Sequence, residues 1–262
     1  KRVVVTGGTT GVGAALVDLL ESLDAAHITV LDLKKPSGPV DTYLQVDLAD
    51  PASIDAAIDG IEGPIDALFN NAGVAATLPA PTVMAVNYLA LRRLSRRLLE
   101  RIQPGGAIAN TASIAGGQWM TRLAEITELL AVEGWGESLE WLERHPELTG
   151  DPYSFSKECV QVYTMRSSRA TLARGVRTNS VCPAPIDTPL LPAFRATMSD
   201  KLIDWTVEQA GGRIATPLDV ARVLAFLGSD AAGYVNGVNL NVDAGFTAAM
   251  TTGQLDFGAL QA

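Results

Sequence analysis

The sequence predicts a single α/β domain, a doubly wound sheet of seven parallel strands with helices on both faces. Seven runs of strand length recur along the chain, and several of them are continuously apolar, which is typical of parallel strands buried on both sides. Helix-length segments lie between most of these runs, and that order indicates parallel crossovers. No internal repeat or Pro/Ser-rich linker divides the 262 residues. We therefore expect one domain over residues 1–262, with ample material for a buried core.

The predicted strands and helices alternate along nearly the whole chain. The strands are residues 3–5, 28–33, 43–46, 65–71, 107–111, 175–182 and 238–242. The helices are residues 13–23, 52–61, 81–102, 152–174 and 217–227. Between the second and third strands only residues 34–41 intervene, fewer than the ~10–12 that a crossover helix needs. Because this stretch also holds Pro36, Gly38 and Pro39, we expect an extended loop there.

Residues 118–151 have an unusual composition, and we predict that they form a helical insertion in the domain. They include eight acidic residues against two arginines, and three of the four tryptophans. Two apolar series recur at helical spacing: Leu123, Ile126 and Leu130, then Trp135, Leu139 and Leu142. We expect two short amphipathic helices with a break at residues 134–136.

Composition and charge exclude several classes of protein. With 47% apolar and 19% charged residues, the chain is typical of a globular protein rather than a disordered one. The net charge of −9 argues against a nucleic-acid or anionic-membrane surface. We interpret one cluster of four arginines as the solvated face of a long helix, able to pair with acids of a neighbouring subunit. These are Arg92, Arg93, Arg96 and Arg97.

The apolar runs, the cysteines and the histidines indicate where the protein is located in the cell and whether it binds a metal. No apolar run reaches the ~18 residues of a membrane helix, and no secretory signal pattern follows Lys1. The two cysteines, Cys159 and Cys182, fit a reducing compartment. We therefore expect a cytoplasmic protein without a membrane contact. The two histidines, His27 and His145, give no metal-ligand spacing, so we expect no metal.

A glycine-rich turn, Thr-Gly-Gly-Thr-Thr-Gly-Val-Gly at residues 6–13, joins the first strand to the first helix. Such glycines let the backbone approach a pyrophosphate, and the helix offers free N–H groups. Alone, the pattern also fits a plain tight turn. Asp32 follows the second strand, where a carboxylate can accept the adenosine-ribose hydroxyls and repel a 2′-phosphate. NAD is favoured over NADP, although Lys34 and Lys35 could attract a phosphate.

A candidate catalytic pair lies in the fourth long helix. Tyr153 and Lys157 are four residues apart and so share a helix face. A phenol titrates at about pH 10, and a neighbouring ammonium stabilises its anion. The pair is therefore a candidate general acid/base near neutrality. Ser113 follows the fifth strand, and Asn87 lies in the helix after the fourth.

With these motifs the chain resembles the classical short-chain dehydrogenase/reductase family over residues 3–246. The matching motifs are the turn at 6–13, Asp47-Leu48, Asn-Asn-Ala-Gly at 70–73, Asn87, Ser113, Tyr153, Lys157, the segment Pro183 to Thr188, Gly237 and Val-Asp-Ala-Gly at 242–245. Three features depart from the usual pattern. Ala184 replaces a glycine, 40 residues separate Ser113 from Tyr153, and the second crossover helix is missing. The long separation and the missing helix are similar to a subgroup represented by bacterial 3α-hydroxysteroid dehydrogenase/carbonyl reductase.

The resemblance implies an NAD(P)-dependent alcohol dehydrogenase or reductase, with roles for individual residues. Tyr153 would be the catalytic acid/base, and Lys157 would lower its pKa and bind the nicotinamide ribose. Ser113 would hydrogen-bond the substrate oxygen, and Asn87 would hold a helix carbonyl and a water of a proton relay. The implied cofactor-binding residues are Gly7, Thr9, Thr10, Gly11, Val12, Gly13, Asp32, Leu33, Asp47, Leu48, Asn71, Ala72, Gly73, Thr111, Tyr153, Lys157, Pro183, Ile186 and Thr188.

By their position in the family, residues 189–211 would form a lid over the substrate. Met198, Leu202 and Trp205 recur there at helical spacing, which fits either an apolar wall over a substrate or a face packed on the domain's own core. Further wall candidates are Ile114, Gln118, Trp119, Leu190 and Phe194. The lid holds one arginine and one lysine, too few for a phosphate- or CoA-bearing substrate. We expect a hydrophobic secondary alcohol or ketone, steroid-like, terpenoid or aromatic.

Two other functions stay open, an NADP-dependent carbonyl reductase and a non-catalytic nucleotide-binding sensor. A sensor would not need the whole set of Asn87, Ser113, Tyr153 and Lys157. In the family, the helix after the fourth strand and the Tyr153 helix pair across a two-fold axis, so the resemblance implies a homodimer or homotetramer. Because the insertion immediately precedes Tyr153, we expect it to flank the substrate mouth and to favour a dimer.

Overall fold

Seven parallel strands form one sheet with the order β3-β2-β1-β4-β5-β6-β7 in the computed structural model, which describes residues 1–255 and 258–261. The predicted doubly wound, seven-stranded parallel sheet is therefore confirmed. The strands are Arg2–Thr6 (β1), His27–Asp32 (β2), Thr42–Gln45 (β3), Ile65–Asn70 (β4), Ile102–Thr111 (β5), Arg177–Pro183 (β6) and Asn239–Val242 (β7). No helix lies between β2 and β3, in agreement with the loop expected at residues 34–41.

Helices cover both faces of this sheet. They are Gly11–Ser22 (α1), Pro51–Gly60 (α2), Ala80–Met84 (α3), Ala90–Leu98 (α4), Leu123–Ala131 (α5), Trp135–Glu143 (α6), Pro152–Leu172 (α7), Leu191–Met198 (α8), Asp200–Gln209 (α9), Pro217–Gly228 (α10), Phe246–Thr251 (α11) and Gly258–Gln261 (α12). A π-helical turn, Ala85–Leu89, joins α3 to α4. Within the described residues, no helix is long and apolar enough to cross a membrane.

The central strand β1 shows how the core divides into two layers. Val3, Val4 and Val5 are all buried, but successive side chains of a strand point to opposite faces. Val3 and Val5 pack with the apolar residues of α1 and α10, whereas Val4 packs with those of α2 and α4. A run of three valines therefore serves both layers, which explains the absence of polar alternation in the sequence.

The insertion packs its two helices against the outer faces of α4 and α7. Four apolar residues of the insertion are buried in one cluster with residues of α4 and α7. They are Ile126 and Leu129 of α5 and Trp141 and Leu142 of α6. The predicted apolar series was partly wrong, because Leu123 is 42% exposed at the start of α5. The break between α5 and α6 falls at residues 132–134 rather than 134–136. Which residues of each helix are buried depends on the surface that the helix covers.

Arg92 departs from the interpretation of the arginine cluster as a solvated face, whereas Arg96 and Arg97 are exposed as expected. Its side chain is 4% exposed. One guanidinium nitrogen donates to the carbonyl oxygens of Val132 (2.9 Å) and Leu129 (3.4 Å), and the other donates to the hydroxyl of Ser138 (2.8 Å). These carbonyls belong to the end of α5, where backbone acceptors lack helical partners. Arg92 thus joins the insertion to α4.

Two neighbouring arginines, Arg93 and Arg97, bind an aspartate of the same chain. Arg93 forms a bidentate pair with Asp55, and Arg97 donates to the same carboxylate at 3.0 Å. The Arg93 guanidinium holds the pKa of Asp55 below its usual value. These contacts join α4 to α2, and the expected pairing with a neighbouring subunit stays a prediction.

We predict that Arg92→Met lowers the free energy of unfolding by about 3 kcal/mol, because the buried acceptors at the end of α5 would lose their donor. Arg96→Met is the matched control, since Arg96 is exposed on the same helix and its replacement should change the stability little. Denaturant unfolding at equilibrium measures both variants. Equal stability of the two would contradict a structural role for Arg92.

Candidate active site

A cavity of about 770 Å³ opens at the carboxyl edge of the sheet, where the strand order reverses between β1 and β4. Crevices at such a point are the usual ligand sites of open α/β sheets. The predicted cofactor residues that line it are Gly7, Thr10, Gly11, Val12, Asp32, Leu33, Asp47, Leu48, Asn71, Ala72, Gly73, Thr111, Tyr153, Lys157, Pro183, Ile186 and Thr188. Thr9 and Gly13 lie outside this lining.

Thr9 and Gly13 shape the turn rather than the wall of the cavity. The backbone N–H of Thr9 donates to Asp32 at 3.1 Å, and its hydroxyl donates to the carbonyl of Lys34 at 2.7 Å. At Gly13, a Cβ atom would lie 1.9 Å from the carbonyl oxygen of Gly7. Only glycine therefore lets α1 begin so close to the turn.

The dinucleotide end of the cavity fits the group that the turn predicts. Gly7 has a φ of +68°, and a Cβ there would meet the backbone of Ala72 at 2.8 Å. The wall is therefore bare backbone that leads to the N-terminus of α1, where free N–H groups and the helix dipole suit a pyrophosphate. Asp32 lines the same end with its carboxylate fixed by the N–H groups of Thr9 and Lys34. These residues could hold an NAD-type cofactor.

Thr6 is a supporting residue to which the sequence reasoning gave no role. Its hydroxyl oxygen accepts hydrogen bonds from the backbone N–H groups of Asn71 and Ala72, both at 3.0 Å. It thereby ties the end of β1 to the end of β4 across the point where the strand order reverses. The signal in the sequence was its place directly before Gly7, in the turn motif.

Ser113, Tyr153 and Lys157 meet in the middle of the cavity. All three are buried, with exposed fractions of 8%, 9% and 3%. Lys157 Nζ donates to the carbonyl oxygen of Thr111 at 2.8 Å and lies 5.7 Å from the Tyr153 ring centroid. The Ser113 side chain acts on the phenol and lowers its pKa. The structure thus brings together three side chains separated by up to 44 residues.

Burial dominates the proton affinities of this cluster. It raises the pKa of Tyr153 to about 12, against the effect of the Ser113 side chain, and it lowers the pKa of Lys157 to about 8. The expected phenol titration near neutrality is therefore not found in the chain by itself, because both groups lose hydration together. At neutral pH Tyr153 is a phenol and Lys157 carries its charge.

Asn87 lies behind the cavity, in the π-helical turn between α3 and α4. Its Oδ1 accepts from the N–H of Val74 at 2.8 Å, and its Nδ2 donates to the carbonyl of Val74 (3.0 Å) and to the hydroxyl of Ser156 (3.1 Å). Ser156 in turn donates to the carbonyl of Tyr153 at 2.7 Å. The resemblance implied a helix carbonyl as its partner, but Val74 belongs to the loop after β4.

The other end of the cavity is apolar. Five of the six predicted wall residues line it, and these are Ile114, Gln118, Leu190, Phe194 and Met198. The Phe194 ring packs edge-on against the Tyr153 ring, with centroids 4.8 Å apart. Trp119 is a wrong prediction, because it packs with the insertion's apolar cluster instead of lining the cavity.

The lid stripe is also corrected in part. Ser199 has a φ of +76° and separates α8 from α9, so Met198 does not share a helix with Leu202 and Trp205. All three nevertheless line the cavity. The lid arginine, Arg195, pairs with two aspartates of α9 and does not line the cavity.

The insertion contributes little to the mouth of the cavity. Gln118 and Asp151, at its two ends, line the cavity. In contrast, α5 and α6 pack against α4 and α7 and do not line it. The expectation that the insertion flanks the mouth is therefore wrong for its helices. Among residues 1–255 and 258–261, no cluster of three or more His, Cys, Asp or Glu residues could hold a metal ion.

Two family models match the chain, "short chain dehydrogenase" over residues 1–124 and "Enoyl-(Acyl carrier protein) reductase" over residues 145–247. The coniferyl-alcohol dehydrogenase of Pseudomonas sp. (strain HR199 / DSM 7063) is 36% identical over 249 residues, which cover 94% of this chain and 96% of that protein. The chain belongs to the short-chain dehydrogenase/reductase family. As such it is an NAD(P)-dependent alcohol dehydrogenase or reductase.

One more relative and one solved structure show which short-chain dehydrogenases this chain is similar to. The cis-4-hydroxycyclohexanecarboxylate dehydrogenase of Sinomonas cyclohexanicum is 31% identical over 261 residues, covering 94% of this chain and 96% of that protein. The solved 3α-hydroxysteroid dehydrogenase of Pseudomonas sp. B-0831, complexed with NADH, is 30% identical with a TM-score of 0.81 and covers 96% of this chain and 99% of its own. The resemblance to the hydroxysteroid dehydrogenase subgroup is thus confirmed.

One strongly perturbed carboxyl group of this short-chain dehydrogenase lies outside the cavity. Glu158 follows Lys157 but is directed away from the cavity, and both of its carboxylate oxygens are buried without a hydrogen bond. Arg122 Nη1, from the insertion, is 3.4 Å from one of them. Burial raises the pKa of Glu158 to about 7, and Arg122 opposes this only in part.

We predict that Glu158→Gln stabilises the protein above pH 7 and has little effect below pH 4. The folded pKa of about 7 exceeds the unfolded value of about 4.3, so the folded state binds more protons between them. Stability is therefore lost as the pH rises through this window. Thermal melting across the pH range measures it, with Glu128→Gln, an exposed carboxyl of the insertion, as control. A melting temperature that is lower in the variant at pH 8 would contradict the prediction.

Proposed function

We propose that this enzyme interconverts a hydrophobic secondary alcohol and its ketone with NAD as the hydride carrier. The observation that carries the proposal is the position of Ser113, Tyr153 and Lys157, between a dinucleotide end and an apolar end of one cavity. A substrate carbonyl at this junction would meet two hydroxyl groups and lie beside the cofactor. The apolar end would bind the hydrocarbon part of the substrate.

In this mechanism the chain's residues place and move one proton. When bound, the nicotinamide would supply or accept the hydride. Ser113 and Tyr153, which both line the cavity, would hold the substrate oxygen, and Tyr153 would donate its proton during ketone reduction. Lys157, held by the carbonyl of Thr111, would stabilise the phenolate that remains. Phe194, packed on the phenol ring, would exclude water from the proton transfer.

The preference for NAD over NADP rests on charge at the ribose end. Asp32 lines the cavity with its carboxylate fixed by two backbone N–H groups. Lys34 and Lys35 are exposed and do not line it, which removes the main argument for a 2′-phosphate. The NADH complex of the similar hydroxysteroid dehydrogenase supports the same choice.

The substrate class follows from the apolar end and from the relatives. The names of the three relatives refer to an aromatic alcohol, a cyclohexane hydroxy acid and a hydroxysteroid, and all three compounds carry a hydroxyl near a ring system. We propose a ring-bearing alcohol or ketone, aromatic, terpenoid or steroid-like. Asp151 at the mouth disfavours an anionic substrate.

We propose that the enzyme is a homodimer. The insertion buries its own apolar faces against α4 and α7, the helices that pair between subunits in the wider family. With that surface covered within one chain, a tetramer would lack one of its two contacts. Light scattering should therefore give about twice the chain mass of 27.6 kDa, and a tetramer would contradict the proposal.

Tyr153→Phe should lower kcat about 10²–10⁴-fold while NAD binding stays nearly unchanged, because the variant removes only the proton donor. Tyr163→Phe is the matched control, since Tyr163 is a buried tyrosine of the same helix that does not line the cavity. NADH absorbance measures turnover, and a fluorescence titration measures binding. Substantial activity in Tyr153→Phe with intact binding would exclude this residue as the acid/base.

Asp32→Ala should relax the preference for NAD, because a 2′-phosphate would no longer meet a like charge. The ratio of kcat/KM for NAD to that for NADP should fall at least tenfold, or by about 1.4 kcal/mol. Asp18→Ala, an exposed aspartate of α1, should leave the ratio unchanged. A wild-type enzyme that already prefers NADP would show that the cofactor assignment is wrong.

A further inference from the structure

The segment after β7 lies over the substrate end of the cavity, beyond the region that the family pattern describes. The family match ends at residue 247. Met250 and Leu260, however, line the cavity together with Phe246. These residues were absent from the sequence-based wall, because no family motif marks them.

The turn after β7 directs this segment toward the cavity. Asp243 accepts hydrogen bonds from the N–H groups of Gly245 (3.0 Å) and Thr247 (2.8 Å), so its carboxylate fixes both the turn and the start of α11. Ala244 and Gly245 have φ values of 50° and 88°, and this left-handed pair reverses the chain. Because β7 ends at the same edge as the other parallel strands, α11 begins beside the active site.

Phe246 joins this segment to the lid. Its side chain is 6% exposed, and its ring meets the Trp205 ring of α9 edge-on, with centroids 5.6 Å apart and planes at 87°. Leu255 and Leu260 pack on the same small cluster, as does Ile114 from beyond β5. The far wall of the substrate end is therefore held by packing between three separate parts of the chain.

We infer that Trp205, Phe246 and Met250 limit the size of the substrate, so that the enzyme takes neutral one- or two-ring alcohols in preference to four-ring steroids. One cavity of about 770 Å³ must hold both the dinucleotide and the substrate, and a drug-sized ligand by itself occupies a pocket of about 300–1,000 Å³. The apolar end thus leaves limited room for a substrate beside a buried aromatic pair. This inference rests on the proposed function and narrows its substrate class.

The charges of the lining agree with a neutral substrate. Among the described residues that line the cavity, the charged ones are Asp32, Asp47, Asp151 and Lys157. The first two lie at the dinucleotide end, and Lys157 is engaged with Thr111. A carboxylate or phosphate on the far ring would meet no cation of this lining.

The test compares kcat/KM for phenylethanol, naphthylethanol and androsterone with NAD, in the wild type and in variants of the wall. We expect the wild type to prefer the two smaller alcohols. Phe246→Ala and Met250→Ala should raise the androsterone to phenylethanol ratio about tenfold or more, since removing a wall group of this size changes discrimination by at least that factor. Met250→Trp should have the opposite effect and lower the naphthylethanol to phenylethanol ratio.

Thr251→Ala is the matched control, since Thr251 is an exposed residue of α11 outside the cavity lining. Melting curves and NAD titrations establish that each variant is folded, and Met250, at 37% exposure, tolerates replacement even where Phe246 does not. Unchanged ratios in both Met250 variants, or a wild type that prefers androsterone, would overturn the size limit and leave the proposed function standing. Turnover of none of the three alcohols or their ketones by the wild type would overturn both.

Discussion

The pairing of β1 with both β2 and β4 is the constraint on which the site depends. Because β1 is flanked on its two sides by strands whose crossovers run in opposite directions, a crevice opens at their carboxyl ends. Thr6 holds the two edges of that crevice together through the N–H groups of Asn71 and Ala72. The glycine turn, the acidic residue of β2 and the candidate catalytic residues beyond β5 all reach the same cavity because parallel strands end at one edge.

Burial gives the site its chemistry as well as its shape. The cluster of Ser113, Tyr153 and Lys157 lies where water is excluded, which raises the proton affinity of the phenol and lowers that of the ammonium. Because one pKa rises and the other falls, the proton affinities of the pair lie further apart than in water. A cavity more open to solvent would leave the pKa values of both groups nearer to their ordinary values. The burial of the cluster thus sets its proton affinities.

The insertion is tied to the rest of the domain by polar links as well as by apolar packing. Arg92 caps the end of α5, and Arg122 approaches the buried Glu158 of α7. Helices α4 and α7 therefore each have a polar contact with the insertion, in addition to the apolar cluster that they share with it. Buried charges of this kind are costly unless they are paired, so the separation of the insertion from either helix would leave a buried polar group without its partner.

The sequence by itself determined the sheet, the turn at residues 6–13, the carboxylate of Asp32 and the spacing of Tyr153 and Lys157, because these depend on local pattern and residue type. Tertiary structure decided the burial of Arg92, the direction of Trp119 and the break at Ser199. It also decided the proton affinity of Tyr153 and the place of Met250 in the cavity. Each of these depends on which distant part of the chain covers the residue. Hydrophobic periodicity indicates that one face of a helix or strand is buried, but it does not indicate which residues cover that face.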